Sequence, residues 1–235
     1  MDAGLEKHTV PGRFDDVAGS YDLLTGANPG YHKHLRWSAD RLVASVPGAS
    51  NLLDLCCGTG SSTRALRGAA PNATITAVDR SEGMLEVARK KTDIRATFLA
   101  GDAMDPAATA PGPYDGVLMA YGIRNMPDAD LCLDRLFQLL KPGGTLAFHE
   151  YSVADSAWAR WRWSAVSWGI IIPSGFVFSP RSNIYTYLWR SVLTFDGVEA
   201  FEARLRRHGF VDVRTEPMDG WQRGVLHTFL ARRPA

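Results

Sequence analysis

The sequence predicts an α/β protein built on a doubly wound, Rossmann-like sheet, mostly parallel with an antiparallel last strand. Three observations predict it. Apolar, β-branched runs alternate with helix-like segments between positions 51 and 151. The first run ends in an acid followed by a glycine-rich turn, LLDLCCGTG. The last two apolar runs are joined by PMDGWQRG, too short to hold a crossover helix, so those strands pair antiparallel.

In chain order, NLLDL, TITAVD, ATFLAGD, YDGVLMAYG and TLAFHEY read as strands, with SSTRALRGAA, SEGMLEVARKK and DLCLDRLFQLL as helices. Ser81 precedes its helix as an N-cap, and KPGG after Leu140 stops a helix and feeds a strand. After Glu150 the alternation ends in a Trp-rich insertion from Trp158 to Trp189, followed by a helix, VEAFEARLRRHG, and the runs FVDVRT and VLHTFLARR. The whole, 1–235, reads as a single domain. It divides into an N-terminal helical cap (1–50), a cofactor-binding core (51–151), a Trp-rich substrate lid (152–195) and the last helix and strands (196–235).

Apolar residues at 46% and charged residues at 22% are enough to bury a core and exclude a disordered chain. A net charge of +1 supplies no field for nucleic acid, which favours a small-molecule partner. Cys56, Cys57 and Cys132 lack the spacing of a zinc site, so no metal is expected, and an adjacent pair suits free thiols in a reducing cytoplasm. MDAGLEKHTVPGRFDD lacks the apolar centre of a secretory signal. The apolar stretch from Trp163 to Phe178 is interrupted by Pro173 and falls short of the roughly 20 residues of a spanning helix, leaving peripheral contact with a membrane surface as the expectation.

An acid, small residues and a helix after a strand place a ligand at the sheet's carboxyl edge. Gly58 and Gly60 let the backbone approach it, and Asp54 orients the loop or receives an ammonium. A dinucleotide dehydrogenase is the nearest rival, but Thr63 stands where its fingerprint wants a small third residue. Asp79 closes the next strand where an acid holds ribose hydroxyls in either class. Asp102, with the small Ala103 beside it, suits an adenine amino group, and a third acid at the same edge favours S-adenosylmethionine and a methyltransferase.

From about Phe14 to Leu230 the chain resembles the C-methyltransferases of ubiquinone and menaquinone biosynthesis, a branch of the class I S-adenosylmethionine-dependent enzymes. FDDVAGSYDLL, LDLCCGTG, YGIRNMPD and LLKPGGTLAFHEYS carry the resemblance, and the Gly-x-Arg-Asn segment is the most specific. It implies the class I methyltransferase fold and cofactor contacts at Thr63, Asp79, Asp102, Ala103 and Ala120, with Tyr21 closing over the methionine end. Ala120 stands where the family often has serine, and the segment from Thr25 to Tyr31 and His32 departs from the family pattern. YTYLWRSVLTF resembles a segment of the family's acceptor pocket, and VLHTF puts His227 at a position where histidine recurs.

A quinol carbon becomes nucleophilic when its neighbouring phenol ionises. Arg124 is therefore expected to stabilise a phenolate and Asn125 to bind a ring oxygen, the alternatives being an ion pair for Arg124 and a turn cap for Asn125. His149, His227 and His32 are candidate proton acceptors, with core packing as the alternative for the first two and Glu150 as a group that orients one of them. Tyr121, Tyr185, Tyr187 and Trp168 are expected to line the acceptor pocket. WARWRWSAVSWGIIIPSGFVF reads as a lid, a membrane-facing surface, a core helix or a protein contact, a homodimer included. The expected acceptor is a lipophilic quinol or phenol such as a demethylmenaquinol. The alternatives are another small molecule of secondary metabolism, methylated at oxygen, nitrogen or carbon, and a non-catalytic protein that binds S-adenosylmethionine.

Overall fold

The computed structural model describes residues 22, 25, 26, 28–178 and 184–235. A first helix, α1 (Tyr31–Ser45), leads into β1 (Asn51–Leu55), α2 (Ser61–Ala69), β2 (Thr74–Asp79), α3 (Glu82–Arg89) and β3 (Thr97–Ala100). A single turn, α4 (Pro106–Thr109), precedes β4 (Tyr114–Ala120), and α5 (Ala129–Leu139) precedes β5 (Leu140–Tyr151). The Trp-rich region forms α6 (Ala157–Val166), a π-helical turn (Ser167–Ile171), α7 (Ile172–Phe178) and α8 (Ile184–Thr194). Then come α9 (Val198–Arg207), β6 (Val211–Pro217) and β7 (Leu226–Arg232).

The seven strands lie in the order β3-β2-β1-β4-β5-β7-β6. β1 pairs in parallel with both β2 and β4, so the chain reverses its direction of winding between β1 and β4 and leaves a crevice outside their carboxyl ends. β7 runs antiparallel between β5 and β6, as the short connection requires.

Strand periodicity sorts side chains to two faces. Leu53, Leu55, Val117, Met119, Phe148 and Phe229 pack on one face with Leu133, Leu136 and Phe201 of α5 and α9. Leu52, Leu118, Ala147 and Leu230 pack on the other with Ala39, Leu42 and Leu66 of α1 and α2. The buried positions of α1, Tyr31, His34, Leu35, Ser38, Ala39 and Leu42, recur at three- and four-residue steps, one stripe of a helix laid on the sheet. Ser81 Oγ accepts from the Met84 amide at 3.1 Å, which makes Ser81 the N-cap of α3.

The insertion divides by residue. Trp163 is fully buried with Tyr151, Val192, Val225 and Leu226. Trp158, Trp161, Trp168, Ile170 and Phe176 are exposed. The π-helical turn shifts the helical spacing after Val166 and had no counterpart in the periodicity.

Candidate active site at the carboxyl edge

Asp54, next to last in β1, is fully buried, and its Oδ2 accepts from Ser62 Oγ at 2.8 Å and Thr63 Oγ1 at 2.6 Å in the first turn of α2. Its Oδ1 has no hydrogen-bond partner among the described residues. Burial pushes the carboxyl up to about 7, against the pull of Thr63 and Ser62. Thr63 was expected to touch the cofactor. Instead its fully buried hydroxyl donates to Asp54, so Thr63 stands behind that carboxylate and fixes it.

Gly58 and Gly60 hold φ of +52° and +86°. A Cβ at Gly60 would come within 3.1 Å of Ile94, whereas one at Gly58 would meet nothing within 4 Å, so the open side of the loop is at Gly58. The Gly58 amide donates to Asp79 Oδ2 at 2.8 Å and the Ser81 amide to Asp79 Oδ1 at 2.9 Å, so the acid closing β2 also sets the loop. Asp102 accepts from the Met104 amide at 2.8 Å, with Ala103 buried beside it. Ala120, also buried, ends β4.

Tyr21 lies outside the described residues. Its neighbour Asp22 was not anticipated: Asp22 Oδ1 accepts from Thr59 Oγ1 at 2.6 Å, and Oδ2 pairs with Lys91 at 2.6 Å. Lys91 also donates to the Thr59 carbonyl at 2.7 Å. Neither Thr59 nor Lys91 belongs to a recognisable pattern with Asp22, because only the fold brings them together. A buried, unpartnered carboxylate oxygen, bare backbone at Gly58, an acid at the end of β2 and small residues at Ala103 and Ala120 fit an adenosine-bearing cofactor with a cationic amino group.

The Gly-x-Arg-Asn segment forms a 3₁₀ turn over Ile123–Asn125. Arg124 is buried, and its Nη1 donates to Glu150 Oε1 at 2.6 Å and to the Tyr121 carbonyl at 3.1 Å; its Nε donates to Ser191 Oγ of α8 at 3.2 Å. Burial opposes the charge, but Glu150 and the neighbouring tyrosines outweigh it and hold the guanidinium above its ordinary value. Burial raises the Glu150 carboxyl, opposed by Arg124. Asn125 donates to the Tyr121 carbonyl at 2.9 Å and accepts from the Tyr187 hydroxyl at 3.1 Å. The expected acceptor-facing pair is thus corrected to a brace that ties the ends of β4 and β5 to α8: the cation is neutralised by Glu150, and both ends of the amide are engaged by protein.

Tyr121 follows β4 with φ +57°, a left-handed conformation costing a tyrosine about 1–3 kcal/mol and held here by the brace on its carbonyl. Its ring stacks on Tyr31 with centroids 6.1 Å apart, tilts against Tyr151 at 5.1 Å and meets His149 edge-on at 4.9 Å. Tyr151 in turn packs on Trp163 at 4.7 Å. Tyr31 and Tyr151 were missed by sequence reasoning; nothing in their local pattern separates them from core aromatics.

His149 is fully buried, with Nδ1 2.8 Å from Ser38 Oγ and Nε2 3.0 Å from the Tyr121 hydroxyl. Burial lowers its pKa to about 3. His227 is lowered to about 4 by burial, and its Nδ1 has no hydrogen-bond partner among the described residues. The two do not meet: His227 lies opposite Glu150 across β5 and β7, on the face that His149 turns away from. Glu150 orients neither, being bonded to Arg124 and the Tyr151 amide. His32 is exposed at the start of α1. Tyr185 is packed against the cluster of Met84 and Ile184, whereas Tyr187 bonds Asn125. Trp168 is corrected from pocket to surface: it is 54% exposed, with Trp189 as its ring neighbour.

The ubiE/COQ5 methyltransferase family matches residues 2–229. A demethylmenaquinone methyltransferase of Clavibacter sepedonicus is 34% identical over 91% of this chain and 87% of its own length. Another, of Staphylococcus aureus, is 29% identical over 93% of this chain and 92% of its own. Among solved structures, magnesium protoporphyrin IX methyltransferase from Synechocystis superposes with a TM-score of 0.66 at 18% identity, covering 97% of this chain and 99% of that one, a likeness of fold. The fold is that of a class I methyltransferase with S-adenosylmethionine as its cofactor, and the chain belongs to the ubiE/COQ5 methyltransferase family.

Proposed function

We propose that the protein methylates a ring carbon of a lipophilic quinol of the demethylmenaquinol kind, and that it meets this acceptor at a membrane surface. The observation that carries the reading is the aromatic row Tyr31–Tyr121–Tyr151–Trp163, beside the glycine loop and running toward the Trp-rich segment. Flat, apolar walls at a strand end suit a planar aromatic ring. Membership of this family, with relatives named demethylmenaquinone methyltransferases, supports the acceptor class.

S-adenosylmethionine, when bound, supplies a methyl group on a sulfonium. Asp54, Gly58, Asp79, Asp102, Ala103 and Ala120 are the residues to hold it, and Asp22 ties the N-terminal segment to the same loop. On the acceptor side the chain positions a ring and excludes water, and the Arg124–Glu150 brace keeps Tyr121 in its strained conformation beside the loop.

Between Ser156 and Phe178 the sequence holds Arg160 and Arg162 and no acid. Exposed tryptophans next to arginines suit the boundary of an anionic bilayer, where rings bury and cations stay hydrated. No helix among the described residues is long and apolar enough to cross a membrane.

The test is transfer of labelled methyl from S-adenosylmethionine to a panel of demethylmenaquinols, other phenols and non-aromatic acceptors. Label on a quinol ring carbon is expected. Transfer only to non-quinone acceptors would overturn the reading.

A further inference from the structure

Thr59 sits between Gly58 and Gly60, whose φ values of +52° and +86° make this the most pliable stretch of the loop. A closed ring of bonds holds it. The Thr59 hydroxyl donates to Asp22 Oδ1 at 2.6 Å, its carbonyl accepts from Lys91 Nζ at 2.7 Å, and Lys91 Nζ also pairs with Asp22 Oδ2 at 2.6 Å. Asp22 precedes α1, Thr59 follows β1 and Lys91 follows α3, so the ring joins three separate stretches of chain.

This is more than an ion pair on an open face. Thr59 is 1% exposed and the Lys91 side chain 16%, so salt screens the charges less than it would in free solvent. Asp22 also lies in the field of Arg64 of α2, whose guanidinium is held above its ordinary value by Asp93 first and by Asp22 to a lesser degree. The rest of the turn is fixed by other groups: the Gly58 amide bonds to Asp79, and Ile94 and Ala88 close on the backbone at Gly60. The Thr59 peptide is therefore the part of the turn whose orientation depends on Lys91 and Asp22, and it adjoins the open side of the loop at Gly58.

We propose that Lys91 and Asp22 are positioning residues for cofactor binding, acting through Thr59, and that Asp22 docks on the loop in step with the cofactor. The inference rests on reading the loop from Asp54 to Gly60 as the place of S-adenosylmethionine. A peptide between two glycines loses much freedom when it is ordered, and the ring of bonds meets that cost before the cofactor arrives. Linkage makes the effect mutual: a contact that raises cofactor affinity by some factor is strengthened by the cofactor by the same factor. Lys91 ends no strand and belongs to no glycine turn, yet it sets how firmly both Thr59 and Asp22 are held.

Calorimetry with S-adenosylhomocysteine on the full chain reads the coupling. Lys91→Met and Asp22→Ala should each raise Kd about 5- to 50-fold, and the double variant should exceed the weaker-binding single by no more than about twofold. Hydrogen exchange followed by mass spectrometry supplies a second readout. Without cofactor, the peptide from Cys56 to Thr63 should exchange faster in Lys91→Met than in wild type. On addition of S-adenosylhomocysteine, the peptide carrying Asp22 should slow in wild type and not in Lys91→Met. An unchanged Kd in both single variants, losses that multiply in the double variant, or slowing at Asp22 that survives Lys91→Met would overturn the proposal. If S-adenosylhomocysteine slows the Cys56–Thr63 peptide of wild type while both single variants bind it as wild type does, this proposal falls alone. If it binds wild type without slowing that peptide, the loop reading falls and takes the proposal with it.

Discussion

Arg124 Nη1 lies 2.6 Å from Glu150 Oε1, with both side chains buried and Glu150 Oε2 left without a partner among the described residues. The pair joins the turn after β4 to the end of β5, and Ser191 extends it to α8. A charge so buried depends on its partner more than a surface ion does. Arg124→Ala should therefore destabilise the protein by about 3–5 kcal/mol in urea unfolding, since it strands a buried carboxylate that keeps the Tyr151 amide but loses its cation. Arg124→Met combined with Glu150→Leu should recover most of that loss while activity stays low, because the Tyr121 carbonyl then keeps Asn125 but loses the guanidinium. A stable Arg124→Ala protein that loses only turnover would return Arg124 to the acceptor.

Asp54, as the proposed seat of the cofactor's amino group, should make cofactor affinity depend on pH. Its carboxyl, raised by burial to about 7, is partly protonated at neutrality. A cationic amino group prefers the ionised form, so binding draws off a proton and affinity rises as pH climbs through the free carboxyl's pKa. Calorimetry with S-adenosylhomocysteine should show affinity increasing several-fold from about pH 6 to about pH 7.5, with proton release that varies with the buffer's ionisation heat. Asp54→Asn should bind more weakly at neutral pH and lose this rise. An equal rise in the variant would remove Asp54 from the ammonium site.

His149 contributes to stability in the opposite sense to a salt-bridged histidine. Its folded pKa of about 3 lies below the usual 6.5. The unfolded chain therefore binds the extra proton first as pH falls. The contribution is fully present above 6.5 and is lost as pH drops toward 3. Between about pH 7 and about pH 5 one such histidine costs the native state roughly 2 kcal/mol. The stability advantage of wild type over His149→Gln should shrink by that amount over this interval in urea titrations. A constant difference would mean that His149 titrates alike in the folded and unfolded chain.

Much of the architecture was legible because it is written in local periods. The alternation from Asn51 to Tyr151, the cap at Ser81 and the short link between β6 and β7 each follow from neighbouring residues. The site was less legible because its bonds join distant positions. Asp54, Asp79 and Asp102 announce themselves as acids at strand ends. That Thr63 faces Asp54, that Asp22 meets Thr59 and Lys91, or that Ser38 touches His149 depends on how α1 and α2 lie on the sheet. Arg124 misled for a related reason: a cation in a loop near a ligand edge reads as catalytic until Glu150, on another strand, is seen to neutralise it.

The Trp-rich segment supplies the last prediction. Trp158 and Trp161 are 61% and 60% exposed, with rings stacked 4.7 Å apart, and Trp168, Ile170 and Phe176 add exposed apolar area further along the same stretch. Trp163 faces inward against Tyr151, so the exposed set can be changed without opening the core. In sedimentation with vesicles of phosphatidylglycerol and phosphatidylcholine, each of Trp158→Ser and Trp161→Ser should weaken binding about tenfold, because each withdraws one large ring from the bilayer boundary. Arg160→Gln should weaken it less and only on anionic vesicles. Methylation of a short-chain, water-soluble acceptor should be unchanged in all three variants, while the rate on a long-chain acceptor in vesicles falls with binding. Equal losses on both acceptors would make the segment a lid over the active site rather than a surface for the membrane, since a lid serves every substrate and a membrane contact serves only those that must be drawn from it.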